Sequence, residues 1–188
     1  QTFCGSSFGS VVLSGNVPTV GTGSWTFGGG PTSPTIFSLG SNALITGFTL
    51  PGTYTIIYSI TNGNCPPSVD AVNIIVAPAS VGGFVSANAT VCEGTNSGTL
   101  SVFGQTGNVI RWESTTSSFT PGNITAFPGA PTYSYVNLSL TTRFRAIVQN
   151  GTCPEAITGE VVITVTPKPT VANAGTDLQF CGSPTTIP

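Results

Sequence analysis

Short runs in which apolar and polar residues alternate recur along the chain. In the clearest of them, residues 53–61, every second side chain is Tyr or Ile and those between are mostly Thr and Ser. A period of two sends alternate side chains to opposite faces of a strand, so one face should be buried. The 24 Gly and 15 Pro break these runs at short intervals. The pattern therefore predicts an all-β sandwich or barrel without a helix of useful length.

The five cysteines reveal an internal repeat. Cys4 and Cys65 are 61 positions apart, and so are Cys92 and Cys153. Cys181 follows Cys92 after 89 positions. A period near 88 residues is about the size of an immunoglobulin-like domain. The first repeat predicts seven strands, at residues 2–4, 10–14, 24–27, 35–39, 43–49, 53–61 and 69–76.

Other positions keep the same phase. The segment Asn-Gly-Asn-Cys-Pro at 62–66 matches Asn-Gly-Thr-Cys-Pro at 150–154, and Trp25 and Trp112 lie 21 and 20 positions after the first cysteine of their repeats. We therefore expect tandem immunoglobulin-like β-sandwich domains of about seven strands each. An odd number of strands brings the chain in at one end of a sandwich and out at the other, so tandem copies should form a rod.

The repeat sets the expected domain boundaries: domain 1 at 1–79, a linker at 80–89, domain 2 at 90–169, a second linker at 170–177, and the first strand of a third domain at 178–188. The last assignment rests on Phe-Cys-Gly-Ser at 180–183, which repeats residues 3–6. An isolated apolar strand is unstable in water. We expect covalent continuation into a third domain, with donation of the strand to a neighbouring subunit as the alternative.

The cysteine spacing predicts disulfides within domains. If the first cysteine begins the first strand and the second follows the sixth, both lie at one end of the sandwich, and Cys4–Cys65 and Cys92–Cys153 can form. Cys181 would then have its partner outside this chain. A metal site is a poor alternative because the chain has no His and no closely spaced Cys pair.

Composition argues against several functions. Charged residues make up 5% of the chain, against roughly 25% in an ordinary domain. With a net charge of −2 and no basic patch, neither nucleic acid nor anionic lipid is an expected partner. No apolar run reaches the length of a membrane span. The six carboxylates form no evident acid–base pair, so we expect neither an enzyme nor a cofactor.

A few residues have two interpretations. Arg111, Arg143 and Arg145 form either a cross-strand charge cluster with Glu113 or a ligand or docking patch. Trp25 and Trp112 are expected in the cores, with exposed sugar-stacking platforms as the alternative. The segment Leu-Pro-Gly-Thr-Tyr at 50–54 predicts a tyrosine corner, in which the phenol bonds back to the turn.

Several segments resemble known repeats. Residues 81–86, 89–100, 107–113 and 145–151 resemble the immunoglobulin-like repeats of giant surface proteins of Bacteroidota. Residues 51–54, 62–63, 172–177 and 181–182 resemble their PKD-like repeats. The resemblance implies type IX secretion, an outer-surface location and a role in an adhesin or filament, with gliding-motility adhesins of the SprB type as one such group.

The leading functional hypothesis is a stiff, disulfide-stapled spacer in an extracellular adhesin or filament at the cell surface. Its partners would be adjacent repeats of the same protein and lateral copies of itself. The alternative is a glycan-binding module that uses the three arginines or loop aromatics such as Tyr133 and Tyr135. Buried aromatics would favour the spacer, and an exposed aromatic row would favour the glycan-binding module.

Overall fold

The computed structural model describes residues 2–5, 9–177 and 179. The first half of the chain forms one sheet with the strand order β1-β7-β6-β3 and a second sheet with the strand order β2-β5-β4. The seven predicted strands are all present, with ends shifted by three residues at most. They are β1 (Thr2–Cys4), β2 (Ser10–Ser14), β3 (Thr22–Gly29), β4 (Thr35–Leu39), β5 (Asn42–Thr46), β6 (Gly52–Thr61) and β7 (Ser68–Ala77).

The two sheets enclose a core that the alternation predicted. Tyr54, Ile56 and Tyr58 of β6 point inward, and Trp25 packs against Tyr58 with ring centroids 4.7 Å apart. Each such side chain contributes about 1.5–3 kcal/mol by leaving water. Tyr54 Oη donates a hydrogen bond to the carbonyl of Leu50 at 2.8 Å, which confirms the tyrosine corner. We call this unit the first sandwich.

The second half forms a sheet in the order β12-β11-β14-β16-β9, with β15 paired to β14, and a smaller sheet in the order β13-β10-β8. We call it the second sandwich. Its strands are β8 (Phe84–Val85), β9 (Ala89–Cys92), β10 (Ser97–Phe103), β11 (Asn108–Thr115), β12 (Thr125–Pro128), β13 (Thr132–Val136), β14 (Thr142–Gln149), β15 (Ala156–Ile157) and β16 (Val161–Thr166).

The core of the second sandwich is built in the same way as that of the first. Trp112 is fully buried, its indole nitrogen donates to the carbonyl of Ala130 at 2.9 Å, and Phe144 and Ala146 face it from β14. Both tryptophans are therefore core residues, as expected. A donor on an otherwise apolar ring needs such a partner when it is buried.

The prediction that residues 80–89 form a linker is wrong. Val81 forms a β-bridge with Thr106, and β8 within this segment pairs with the end of β10. Val85 also packs against the second core. The segment belongs to the second sandwich because its apolar residues find a sheet edge to pair with. The second expected linker, 170–177, contains no strand.

In each sandwich a strand that ends in a cysteine runs parallel to the last strand: β1 beside β7, and β9 beside β16. Cys4 pairs with Ala77 and Cys92 with Thr166, while β6 runs antiparallel to β7 and β14 antiparallel to β16. We call the end where β7 or β16 finishes the downstream pole, and the opposite end the upstream pole. The chain thus crosses each sandwich from the upstream to the downstream pole. The described residues include no helix long and apolar enough to cross a membrane.

Candidate functional site

A disulfide joins the two sandwiches. Cys4 bonds to Cys153, with their Cα atoms 5.0 Å apart across a sequence separation of 149 residues. Cys65 and Cys92 are free and exposed. The predicted pairs Cys4–Cys65 and Cys92–Cys153 are therefore wrong. The cysteine predicted to pair outside this chain, Cys181, lies outside the described residues.

The parallel first strand explains the error. Cys4 ends β1 beside Ala77, at the downstream pole, whereas Cys65 follows β6 at the upstream pole. The ten residues of β6 span about 30 Å between the poles, and bonded cysteines need Cα atoms within about 7 Å. Cys92 and Cys153 are separated in the same way across the second sandwich. Cys153 therefore cannot reach Cys92 in its own sandwich and bonds Cys4 of the sandwich before it.

Polar contacts surround this disulfide. The side-chain amide of Asn150 donates to the carbonyl of Pro78 at 2.7 Å, and the backbone amide of Asn150 donates to Ser80 Oγ at 3.0 Å. Cys153 Sγ lies 3.4 Å from the same Pro78 carbonyl oxygen, and Cys153 is only 1% exposed. We call these contacts and the disulfide the junction site. It fixes the upstream pole of the second sandwich to the downstream pole of the first.

An Asn-Gly turn places Asn150 and Cys153 at the junction. The amide of Cys153 donates to the carbonyl of Asn150 at 3.0 Å, and Gly151 takes a φ of 56°. Glycine adopts this left-handed conformation without the strain that a Cβ atom would introduce. Gly107 has a φ of 111°, and a Cβ atom there would lie 2.7 Å from the Asn150 amide nitrogen, so the turn packs closely on the neighbouring strand.

Two of the three arginines, Arg111 and Arg145, form a charge cluster rather than an open patch. Arg111 Nε donates to Glu113 Oε1 at 2.9 Å, and Arg145 Nε donates to Glu113 Oε2 at 2.8 Å. Arg111 also makes two 2.8 Å bonds to the carboxylate of Glu155. All of these groups lie on the face of β11 and β14 opposite the core. The cross-strand interpretation is correct for Arg145, which lies opposite Glu113 on β14, whereas Arg111 pairs with Glu113 along the same strand.

Arg143 does not join this cluster, because its guanidinium donates to Glu160 at 3.3 Å instead. Glu113 follows the core residue Trp112 and so points away from the core, as alternation along β11 predicts, yet its side chain is only 7% exposed. Arg145 covers it and stacks over the ring of Phe119, with Cζ 4.0 Å from the centroid. The alternation identified the correct face, but it could not show that the loop carrying Phe119 folds over that face.

The cluster shifts the pKa values of Glu113, Glu155 and Arg111. Burial by itself raises the pKa of Glu113, but the hydrogen bonds from Arg111 and Arg145 outweigh it, and the net pKa lies below the ordinary 4.5. The hydrogen bond from Arg111 likewise lowers the pKa of Glu155. The bonds to Glu155 and Glu113 raise the pKa of Arg111. Glu113, Glu155 and Arg111 are thus charged at neutral pH.

Of the two tyrosines of the glycan-binding alternative, Tyr135 is a core residue and Tyr133 is half-buried against the same core. Tyr135 is 6% exposed, and Tyr133 packs between Trp112 and Phe127, with ring centroids 5.7 and 4.8 Å away. An exposed pair of aromatic residues lies elsewhere: Phe84 and Phe103 are 60% and 48% exposed, with ring centroids 5.8 Å apart. Sequence reasoning missed this pair, because β8 was taken for a linker.

The remaining features offer little chemistry. A cleft of about 280 Å³ opens at the side of the first sandwich beside Trp25 and Tyr58, with Asp70 in its wall. Within the described part of the chain, no three His, Cys, Asp or Glu residues converge as metal ligands would.

The fold resembles known tandem immunoglobulin-like proteins. Murine CEACAM1b matches with a TM-score of 0.50 and 18% identity over 88% of this chain and 96% of that structure. Titin domains A168–A170 match with a TM-score of 0.51 and 13% identity over 89% of this chain and 61% of that structure. At these identities the likeness shows the fold alone. The chain is an all-β protein built of immunoglobulin-like β-sandwiches.

Comparison of the sequence with known families finds a match for only part of the chain. Residues 81–167 match the model of a family described as a domain of unknown function, DUF8696. This match starts at Val81 and ends just after β16, and so covers the second sandwich, β8 included. No curated protein sequence matches the chain.

Proposed function

We propose that this chain is a structural repeat segment of a long extracellular adhesin or filament, in which it acts as a stiff disulfide-stapled spacer. The observation that carries the proposal is the Cys4–Cys153 bond. The bond crosses the junction and lies in neither core, so its effect is to fix one sandwich on the other. A protein whose role is to hold a distal site at a set distance needs such fixed junctions.

The same bond changes how the chain responds to tension. A pull applied at the two ends passes from Cys4 directly to Cys153, so the 149 residues of the closed loop cannot be drawn out. These residues include every strand from β2 to β14. On the chain-entropy model, a loop of this length also stabilises the folded chain by about 5 kcal/mol. While the bond is intact, tension can therefore draw out only the residues outside this loop.

The surface supports a passive role. Glu113, Glu155 and Glu160 all pair with arginines, and these pairs use the charged residues that a ligand patch would need. The proposal therefore assigns no catalytic activity and no cofactor to the chain. Disulfides persist in oxidising compartments outside the cytoplasm, which supports an extracellular location. The finer assignment, a type IX-secreted surface adhesin of Bacteroidota of the SprB type or a related filament, rests on the sequence resemblance.

Single-molecule force spectroscopy tests the spacer. The chain is pulled through its two ends in a Cys65→Ser, Cys92→Ser, Cys181→Ser background, so that only Cys4 and Cys153 remain. The contour length released on full unfolding should be about 500 Å shorter with the disulfide than after reduction, because 149 residues at 3.3–3.6 Å each stay closed. A matched Cys4→Ser, Cys153→Ser variant should behave as the reduced chain does. Equal lengths with and without reductant would refute the proposal.

The glycan-binding alternative now depends on Phe84 and Phe103, the exposed aromatic pair. A glycan array probed with the intact chain, and with Phe84→Ser as the control, separates the two functions. Saturable binding that this substitution abolishes would favour the alternative. The spacer predicts no such binding.

A further inference from the structure

Cys65 occupies the same place in the first sandwich as Cys153 occupies in the second. Both close an Asn-Gly turn at the upstream pole. The amide of each donates to the carbonyl of the Asn three residues before it, at 3.1 and 3.0 Å. The glycines of the two turns have φ values of 54° and 56°. Cys65 therefore presents its thiol as Cys153 presents its sulfur to the junction disulfide.

Cys92 in turn matches Cys4. Cys4 ends β1 and Cys92 ends β9, and each of these strands runs parallel to the last strand of its sandwich, with Ala77 as the partner of Cys4 and Thr166 as the partner of Cys92. The amide of the residue after each cysteine donates to the carbonyl of that partner, at 2.8 and 2.9 Å. Both cysteines thus lie at the downstream pole in the same local structure.

Exposure distinguishes the bonded pair from the free pair. At the junction site Cys153 is 1% exposed, whereas Cys65 and Cys92 are free and exposed. The chain thus contains one complete copy of the junction site in its middle and half a copy at each outer pole. The two exposed thiols are placed as the two bonded cysteines are. This placement indicates that another sandwich of this kind binds at each outer pole.

We propose that Cys92 forms a disulfide with Cys65 of a following two-sandwich unit of the same kind, rebuilding the junction site at that interface. This deepens the proposed function, on which it rests, by naming the partner of each pole. The sequence supports the order of the units, since Phe-Cys-Gly-Ser at 180–183 repeats residues 3–6 of the first sandwich. By this order, the sandwich that follows the second sandwich is of the same type as the first, which carries Cys65.

The polar contact of the junction site can also be rebuilt. Asn62 is the counterpart of Asn150, and Pro167 is the counterpart of Pro78; both counterparts are exposed. The side-chain amide of Asn62 would donate to the carbonyl of Pro167 of the preceding unit. One contact is not repeated, because Pro169 stands where the first junction has Ser80. The second type of junction therefore has one hydrogen bond fewer.

Formation of the bond is an oxidation. The thiols of Cys92 and Cys65 lose two protons and two electrons, and one sulfur–sulfur bond forms. The electrons pass to the disulfide of a low-molecular-weight compound such as oxidised glutathione, or of an oxidoreductase, which is reduced to two thiols by exchange through a mixed disulfide.

Complementary single variants test the pairing. In a Cys181→Ser background, the Cys65→Ser protein keeps Cys92, and the Cys92→Ser protein keeps Cys65. Each is incubated alone and in an equimolar mixture with reduced and oxidised glutathione, and analysed on non-reducing gels and by peptide mass spectrometry. The mixture should give a dimer of twice the 19.0 kDa chain linked Cys65–Cys92, at least tenfold more abundant than any dimer from either variant alone. The protein with both cysteines should give a ladder of multimers.

Two results would overturn the pairing. One is a mixture that stays monomeric. The other is Cys65–Cys65 or Cys92–Cys92 dimers as abundant as the mixed dimer, which would show only that both thiols are accessible. An Asn62→Ala substitution in the protein that keeps Cys65 should lower the yield of mixed dimer several-fold, and an unchanged yield would contradict the rebuilt interface. The force measurement uses a chain without Cys65 and Cys92, so the spacer and the pairing can fail independently.

Discussion

Glu113 and Arg145 lie directly opposite each other on neighbouring strands and form an ion pair, with Arg145 Nη2 2.7 Å from Glu113 Oε2. Arg111 holds the other carboxylate oxygen at 2.9 Å. The side chains of Glu113 and Arg145 are 7% and 17% exposed. Water therefore screens this pair far less than it screens an ordinary surface salt bridge.

Replacing Glu113 should destabilise the chain noticeably. Glu113→Ala leaves Arg145 poorly solvated and without its acceptor, and hydrogen bonds to charged groups are worth about 1.5–3 kcal/mol each. We expect the free energy of unfolding, measured by urea denaturation, to fall by about 2–3 kcal/mol. Glu155→Ala is the matched control, since it removes the exposed partner of Arg111, and its effect should be clearly smaller. Equal losses would contradict the buried character of the Glu113 pair.

The stability of the chain should decrease in acid. Because the folded pKa of Glu113 lies below its ordinary 4.5, the folded chain binds a proton at this site less tightly than the unfolded chain does. The stabilisation is complete above the unfolded pKa and is lost as the pH falls through the folded pKa. Glu155 has the same sign. Urea midpoints between pH 6 and pH 3 should decline, and Glu113→Gln should flatten the decline. An identical slope in that variant would exclude Glu113 as the titrating group.

Alternation and the repeat were enough to predict the strands of the first sandwich, the two core tryptophans and the tyrosine corner. They could not decide whether the first strand runs parallel or antiparallel to the last, and this choice alone moves Cys4 from one pole to the other. The repeated spacing of 61 residues thus identified cysteines that occupy equivalent places in the two sandwiches, but the disulfides inferred from it joined the wrong cysteines. Burial of Glu113 also escaped prediction, because it depends on where Phe119 and Arg145 pack in three dimensions.

Gly82 is needed where the segment before β8 passes β15. A Cβ atom at Gly82 would overlap the carbonyl oxygen of Ile157 and lie 2.7 Å from the amide nitrogen of Thr158. Backbone atoms cannot move aside as a flexible side chain can, so Gly82→Ala should cost about 1–3 kcal/mol of unfolding free energy.

The control is Gly159→Ala, since Gly159 lies close by, with nothing within 4 Å of its added Cβ. It should be neutral or slightly stabilising. Thermal unfolding monitored by circular dichroism compares the two variants. A neutral Gly82→Ala variant would mean that residues 80–85 do not dock on the second sandwich.

Asn150 should protect the junction disulfide from reduction. Its side-chain amide holds the Pro78 carbonyl at 2.7 Å, and this contact helps to keep Cys153 out of water. Losing a hydrogen bond worth about 1 kcal/mol should make the opened junction about fivefold more populated. The rate at which dithiothreitol reduces Cys4–Cys153, followed by alkylation and mass spectrometry without denaturant, should rise by that factor in Asn150→Ala. Asn62→Ala removes the equivalent side chain at the exposed upstream pole and should leave the rate unchanged in dilute protein. If both substitutions raised the rate equally, the effect would come from the Asn-Gly turns, and Asn150 would have no specific role at the junction.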